Sequence, residues 1–129
     1  MSARNKEIVR KVNAVFAEGK FEGFLSFCDE DVEWTIVGDK VVKGREAIRQ
    51  LMQSMAEESA EPPRFFDVDV VIGEDDFVVS HGDMTMKDKH GRTVPYSYCD
   101  IYRFRGEKIA ELRSFIAKTE AKLETSRSA

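Results

Sequence analysis

At 129 residues, 42% of them hydrophobic, the chain suffices for one domain that hides roughly two-thirds of its unfolded surface. Its net charge of −4 comes from mixed signs, which argues against a general nucleic-acid binder, whose usual footprint is a basic patch. No apolar run approaches the roughly 20 residues needed to cross a bilayer, and MSARNKEIVRK lacks the apolar stretch of a secretory signal, so no membrane partner and a cytoplasmic location are expected.

Along the chain, Ile8, Val9, Val12, Val15 and Phe16 recur at helical spacing and predict a first helix over residues 3–18, stopped at Gly19. A short second helix is expected over 21–28, with Phe24, Leu25 and Phe27 available for packing. Asp29-Glu30-Asp31 then reads as an acidic turn into the strand VEWTIV. There Val32, Trp34 and Ile36 alternate with Glu33, Thr35 and Val37 until Gly38-Asp39 breaks the pattern. In GREAIRQLMQSMAEES, Ile48, Leu51, Met52 and Met55 mark one face of a third helix, ended by Glu61-Pro62-Pro63 because proline cannot continue the ladder.

From there the period is two. RFFDVDVVIG, DFVVSHGDMTMK, TVPYSYCDIYRFR and EKIAELRSFIAK predict four strands, with glycine in each connecting turn. The polar tail over 118–129 is expected to fray. With no internal repeat and no linker, residues 1–129 read as a single domain. Helices followed by a meander specify an α+β fold, a curved antiparallel sheet wrapped around the N-terminal helices. A helix cannot fill a curved sheet completely, so a cavity is expected between them, and the opposite sheet face is free for a partner.

The residues of the stretch YSYCDIYRF place Tyr96, Tyr98, Asp100, Tyr102 and Phe104 on one strand face. A carboxylate among those rings loses hydration. Its pKa rises, which makes it a proton donor or a base near neutral pH. The alternative is a structural acid held by a tyrosine hydroxyl, or by Arg103 or Arg113. A three-residue turn at Lys89-His90-Gly91 is the expected one, because it puts Met84 and Met86 inward and Gly91 suits the left-handed bulge position; it would pair Ser80 with Asp100 and send His81 to the other face, whereas a two- or four-residue turn would bring His81 beside the tyrosines. Trp34 is either core filler or a pocket wall with one N–H donor. The charges of Arg103, Arg105 and Arg113 fit a solvated face or a subunit contact.

Cys28 and Cys99 sit inside apolar elements and are expected as reduced core residues. Two cysteines and two histidines at these spacings do not suggest a zinc site. No G-x-G-x-x-G follows a strand, so no nucleotide cofactor is expected.

Three stretches, FAEGKFEGFLSFCDEDVEWTIVG, KGREAIRQL and CDIYRFRGEKIAELRSF, in this order over nearly the whole chain, resemble the SnoaL-like and ketosteroid isomerase-like branch of the nuclear transport factor 2-like superfamily. The resemblance implies a cone-shaped fold, a deep apolar pocket and a homodimer formed through the sheet. Asp100 matches the pocket aspartate of that group, which in ketosteroid isomerases stays protonated and donates to an oxyanion, and in SnoaL-type cyclases is a general acid/base. The departures are specific. Trp34, Thr35, Ile36 and Val37 stand where the isomerases carry a base aspartate, and Val12, Val15 and Phe16 where their first helix offers a tyrosine. His81 lies in the region of the cyclases' histidine, but its spacing to Asp100 fits poorly. The Arg/Asp/Asp set of limonene-type epoxide hydrolases is not evident.

The expectation is a small-molecule-binding protein of this group, an isomerase, cyclase or hydrolase acting on an apolar carbonyl compound. Asp100 is the catalytic candidate. Phe16, Trp34, Met55, Ser80, Met84, Tyr98, Tyr102, Leu112 and Ser114 are the candidates for contacting substrate. Neither cofactor nor metal is implied. A non-catalytic ligand-binding or accessory dimeric module is the alternative, and a purely structural dimerisation domain the third reading.

Overall fold

The computed structural model describes residues 2–58 and 63–119, the side chains of 66–69 excepted. Part of the expected proline stop, at 61 and 62, and the tail beyond 119 therefore lie outside the described residues. The elements are α1 (Ser2–Ala17), α2 (Phe21–Leu25), β1 (Cys28–Ile36), β2 (Lys40–Lys43), α3 (Arg45–Glu58), β3 (Arg64–Glu74), β4 (Phe77–Lys87), β5 (Thr93–Arg105) and β6 (Lys108–Lys118). The strands form one open, curved sheet in the order β2-β1-β6-β5-β4-β3, an α+β arrangement.

Strands β3 to β6 make the expected antiparallel meander. Strand β1 departs from it by running parallel to β6, with Trp34 opposite Leu112 and Ile36 opposite Ser114. Alternation within a strand carries no information about the direction of a distant neighbour, so the sequence left this pairing open. Strand β2 was not expected either. Its four residues, KVVK, are too few to display a period, and Val41 is exposed. The second helix stops at Leu25, and the acidic triplet Asp29-Glu30-Asp31 is part of β1 rather than a turn. It occupies an irregular stretch between the pairings of Cys28 and Glu33. Ion pairs to Arg105 (2.9 Å from Asp29) and Arg45 (3.5 Å from Glu30) accompany the triplet.

The apolar stripes explain the packing. Helix α1 lies on β3 and β4, and α3 on β1 and β2. Val9, Val12, Phe24 and Ile48 meet Val32, Trp34, Val78, Tyr102, Phe104, Ile109 and Leu112 in one core cluster. Each fully buried branched side chain among them contributes about 1.5–3 kcal/mol. Both cysteines are free. Cys28 is buried, and burial pushes its thiol up to about 12. Cys99 is only half-buried and pairs across strands with His81 and Phe115 on the face away from the helices, so it is not the core residue expected.

The β4–β5 turn has the expected length. Asp88 N donates to Arg92 O (2.9 Å), and Gly91 takes φ +78°, which favours glycine. The Asp88 carboxylate accepts from the backbone N–H groups of Arg92 (2.9 Å) and His90 (2.8 Å), and these bonds hold its pKa below the usual value. The turn sets Lys87 opposite Thr93 and, further along, Ser80 opposite Asp100 and Gly82 opposite Tyr98.

Gly82 is required by a neighbour rather than by its own backbone. A Cβ there would lie 2.7 Å from Tyr98 Oη and 2.9 Å from its Cζ. The Tyr98 ring also meets Phe65 edge-on at 5.7 Å, which limits its retreat. We expect Gly82→Ala to cost about 1–3 kcal/mol by overpacking, read as a lowered denaturation midpoint; an unchanged midpoint would show that the Tyr98 ring is not fixed.

Candidate active site

Strand alternation turns Tyr98, Asp100, Tyr102 and Phe104 toward the helices, and pairing builds a polar row across them. Ser80 on β4 and Ser114 on β6 flank Asp100 directly, with Val71 and Ile36 beyond them. Both serines are buried, at 0% and 2% exposure, while Asp100 keeps a partly open surface. Asp100 thus lies at the margin of the packed interior of Tyr102, Phe104 and Leu112. On the same face beyond it, Ile116 stands opposite Tyr98 and is 42% exposed.

The surrounding protein strips most of the hydration from Asp100. Burial pushes its carboxyl up to about 7, against the opposing effect of hydrogen bonding from Ser114. Neither arginine neutralises it. Arg103 lies on the other face and pairs with Glu111 at 3.3 Å, and Arg113 is exposed with its guanidinium 5.9 Å from the Phe115 ring. The tyrosine hydroxyls do not satisfy it either: Tyr102 Oη is buried without a hydrogen bond among the described residues, and Tyr98 Oη, also buried, has Ser80 rather than Asp100 as its hydrogen-bonding neighbour. Leaving a hydroxyl such as that of Tyr102 unpaired costs about 1–3 kcal/mol. Burial and the charge of Asp100 both push the two phenols upward, so they stay protonated through neutrality.

Two neutral donors hold the serines. Trp34 Nε1 donates to Ser114 Oγ at 2.9 Å, and Asn13 Nδ2 donates to Ser80 Oγ at 3.1 Å. Trp34 is also set edge-on to Phe24 at 6.3 Å. Asn13 was missed in the sequence: on the helical wheel it lies just past Val9, at the edge of the apolar stripe, where a polar residue is ordinary and gives no signal. Phe65, which packs on Tyr98, was missed as well.

Of the expected site residues, Trp34, Ser80, Tyr98, Asp100, Tyr102, Leu112 and Ser114 are contiguous on this face. Tyr102 and Leu112 lie deepest, at 0% and 1% exposure. Met84 is buried between Phe65 and Tyr96. Phe16 packs tilted against Phe24, with ring centroids 5.1 Å apart, and Met55 is 45% exposed on α3. His81 is exposed on the opposite face beside Cys99 and Val70. A shallow depression among Ser2, Asp75, Asp76 and Phe77 includes none of these residues. Among the described residues no group of three or more His, Cys, Asp or Glu side chains is placed to hold a metal.

A carboxyl raised in the fold makes stability depend on pH in a defined direction. Between the unfolded value near ~3.9 and the folded value of about 7, the native state keeps a proton that the unfolded chain has released. Stability therefore falls as pH rises through that window and levels off above it, by at most about 4 kcal/mol. Asp100→Asn removes this dependence, so its melting temperature should exceed that of the wild type at pH 8 and lose the advantage toward pH 4. Superimposable pH profiles of the two proteins would mean that Asp100 is not a buried acid.

The fold is shared with known proteins. The SnoaL-like domain profile matches residues 9–112. None of the curated proteins matches the chain. Among solved structures, a nuclear transport factor 2-like protein of unknown function from Cytophaga hutchinsonii is 27% identical, with a TM-score of 0.72 over 87% of this chain and 98% of that one. A protein provisionally assigned as a polyketide cyclase, from Xanthomonas campestris pv. campestris, has a TM-score of 0.80 at 18% identity, covering 98% and 96%. TerC, crystallised with polyporic acid, has a TM-score of 0.77 at 20% identity, covering 88% and 92%. The last two likenesses concern the fold alone. With its profile match spanning most of the sequence, the chain belongs to the SnoaL-like domain family.

Proposed function

We propose that this protein binds a small, mostly apolar carbonyl compound between its sheet and helices and acts on it with Asp100 as acid and base. The observation that carries the reading is the Asp100 carboxyl, raised to about 7 by burial, in a wall of buried aromatic side chains. A group with that pKa is near half-protonated at neutral pH, where a proton-transfer catalyst works best. Phe16, Trp34, Met55, Ser80, Met84, Tyr98, Tyr102, Leu112 and Ser114 remain the proposed substrate contacts, with Tyr98 the hydroxyl best placed to donate beside Asp100. Enolisation of the ketone, isomerisation and ring closure all need this proton transfer.

A specific observation favours the second reading, a binding module without turnover. Among the described residues no second carboxylate or histidine joins Asp100 on the inner face, and His81 points away. The two readings share the ligand and differ in the proton. The other sheet face supports a homodimer, because Val70, Ile72, Phe77 and Phe115 are 44%, 61%, 47% and 40% exposed there. No helix among the described residues is long and apolar enough to cross a membrane, and the two free cysteines fit the reducing cytoplasm proposed as its location.

Apolar ketones and quinones, beginning with polyporic acid, should raise the melting temperature in a concentration-dependent way. For a ketone that binds, the wild type should speed deuterium exchange at the carbon next to the carbonyl, followed by proton NMR. Asp100→Asn should lose at least about 100-fold of that acceleration while still binding. Binding without exchange selects the module, and no binding by any member of the panel leaves the ligand site unsupported. Light scattering should give twice the monomer mass, and Ile72→Lys should reduce it to the monomer; a wild-type monomer would exclude the dimer.

A further inference from the structure

The two serines beside Asp100 are not free hydroxyls. A serine hydroxyl carries one proton and can accept, whereas an indole N–H and an amide NH2 only donate. Because Trp34 Nε1 donates to Ser114 Oγ at 2.9 Å, that oxygen is fixed as an acceptor toward β1. Its single proton is left to point elsewhere, and the polar group directly across the strand pair is the Asp100 carboxyl. Water cannot readily take the place of the indole, since Trp34 and Ser114 are 7% and 2% exposed. The backbone is held as well, with Val37 N donating to Ser114 O at 3.0 Å. On the other side Asn13 fixes Ser80 in the same sense.

An acid meant to stay neutral and only donate would be served by an acceptor. The side chain turned toward Asp100 from β6 is instead a donor, which favours the carboxylate. We propose that Trp34 is a positioning residue for Asp100: its N–H orients the Ser114 hydroxyl toward the carboxyl, so that Asp100 gives up and takes back a proton rather than remaining a permanently neutral donor. This rests on Asp100 being the working group of the site, and assigns it a role within that reading.

Among the described residues, the titratable groups near Asp100 are Tyr98 and Tyr102 on its own face of β5 and Cys99 beside it on the opposite face, all with pKa values pushed up by burial and so neutral around pH 7. From β1, β4, β6 and α1 the polar groups that face this row are Trp34, Ser80, Ser114 and Asn13, none of which titrates. Asp83, farther along β4, acts on Tyr98, and bonds to Ser97 at 2.7 Å. Among the described residues, Ser114 is the one neighbouring group that acts on Asp100 against burial.

The test is a 13C NMR titration of the Asp100 carboxyl carbon in the full chain, its resonance assigned by its loss in Asp100→Asn. The midpoint should rise by at least about half a pH unit in Trp34→Phe, rise at least as far in Ser114→Ala, and stay near the wild type in Ser114→Thr. The double variant should match Ser114→Ala, because both changes break one relay. A purely packing role for Trp34 would change stability and leave the midpoint in place. Coincident midpoints for Trp34→Phe and the wild type, or additive shifts in the double variant, overturn the proposal. If Trp34→Phe does not fold, Ser114→Ala, which deletes a single oxygen, decides: an unshifted midpoint there overturns it too. A wild-type midpoint near 4 would instead remove Asp100 as the working group and the proposed function with it.

Discussion

The site depends on the register of a single hairpin. Asp88 and Gly91 close the β4–β5 turn with three residues between Asp88 and Arg92, and the pairing that follows puts Ser80 against Asp100 and Gly82 against Tyr98. A slip of one residue would reverse every side chain on one strand relative to its partner. Asp100 would then face His81 or Val79 in place of Ser80, and the tyrosines would lose the glycine that admits Tyr98. Two backbone hydrogen bonds to the Asp88 carboxylate, at the surface, are therefore linked to the protonation of a carboxyl far along the same strands.

The inner face combines two requirements that oppose each other. Packing calls for the aromatic wall of Tyr98, Tyr102 and Phe104, all buried. That wall raises the free energy of any charge within it, as the position of Asp100 near 7 records. The fold moderates the opposition without supplying a counter-ion. Ser114 offers one hydroxyl, and Trp34 fixes its direction from the neighbouring strand. The nearby arginines serve the other face, where Arg103 meets Glu111. An ion pair at Asp100 would have stabilised the carboxylate and lowered its pKa well below neutrality. Its absence among the described residues leaves burial to set the carboxyl near 7.

Much of this was readable from residue order. Period-two alternation in YSYCDIYRF placed Asp100 with the tyrosines, and Gly91 indicated the turn and hence the pairing with Ser80. The stripe Ile8, Val9, Val12 predicted the buried face of α1. Failures have a common origin in distant pairing. The parallel β1–β6 contact, the short β2 and the strand conformation of Asp29-Glu30-Asp31 depend on neighbours many residues away. Cys99 shows the same limit, since an apolar flank in sequence became a half-exposed place on the outer face once the sheet had formed.

By itself, then, the amino-acid order determined the helices, the meander and the side of β5 that Asp100 shares with the tyrosines, and it tied the direction of His81 to the length of one turn. These follow from local periodicity and one turn, which act over a few residues. Only the tertiary structure decided that Trp34 spends its N–H on Ser114 and that Asn13 reaches Ser80, because those bonds join residues 80 and 67 positions apart. It likewise decided that Arg103 and Arg113 turn away from the acid. The direction of a hydrogen bond between distant strands has no local signature, and here that direction bears on the proton of Asp100.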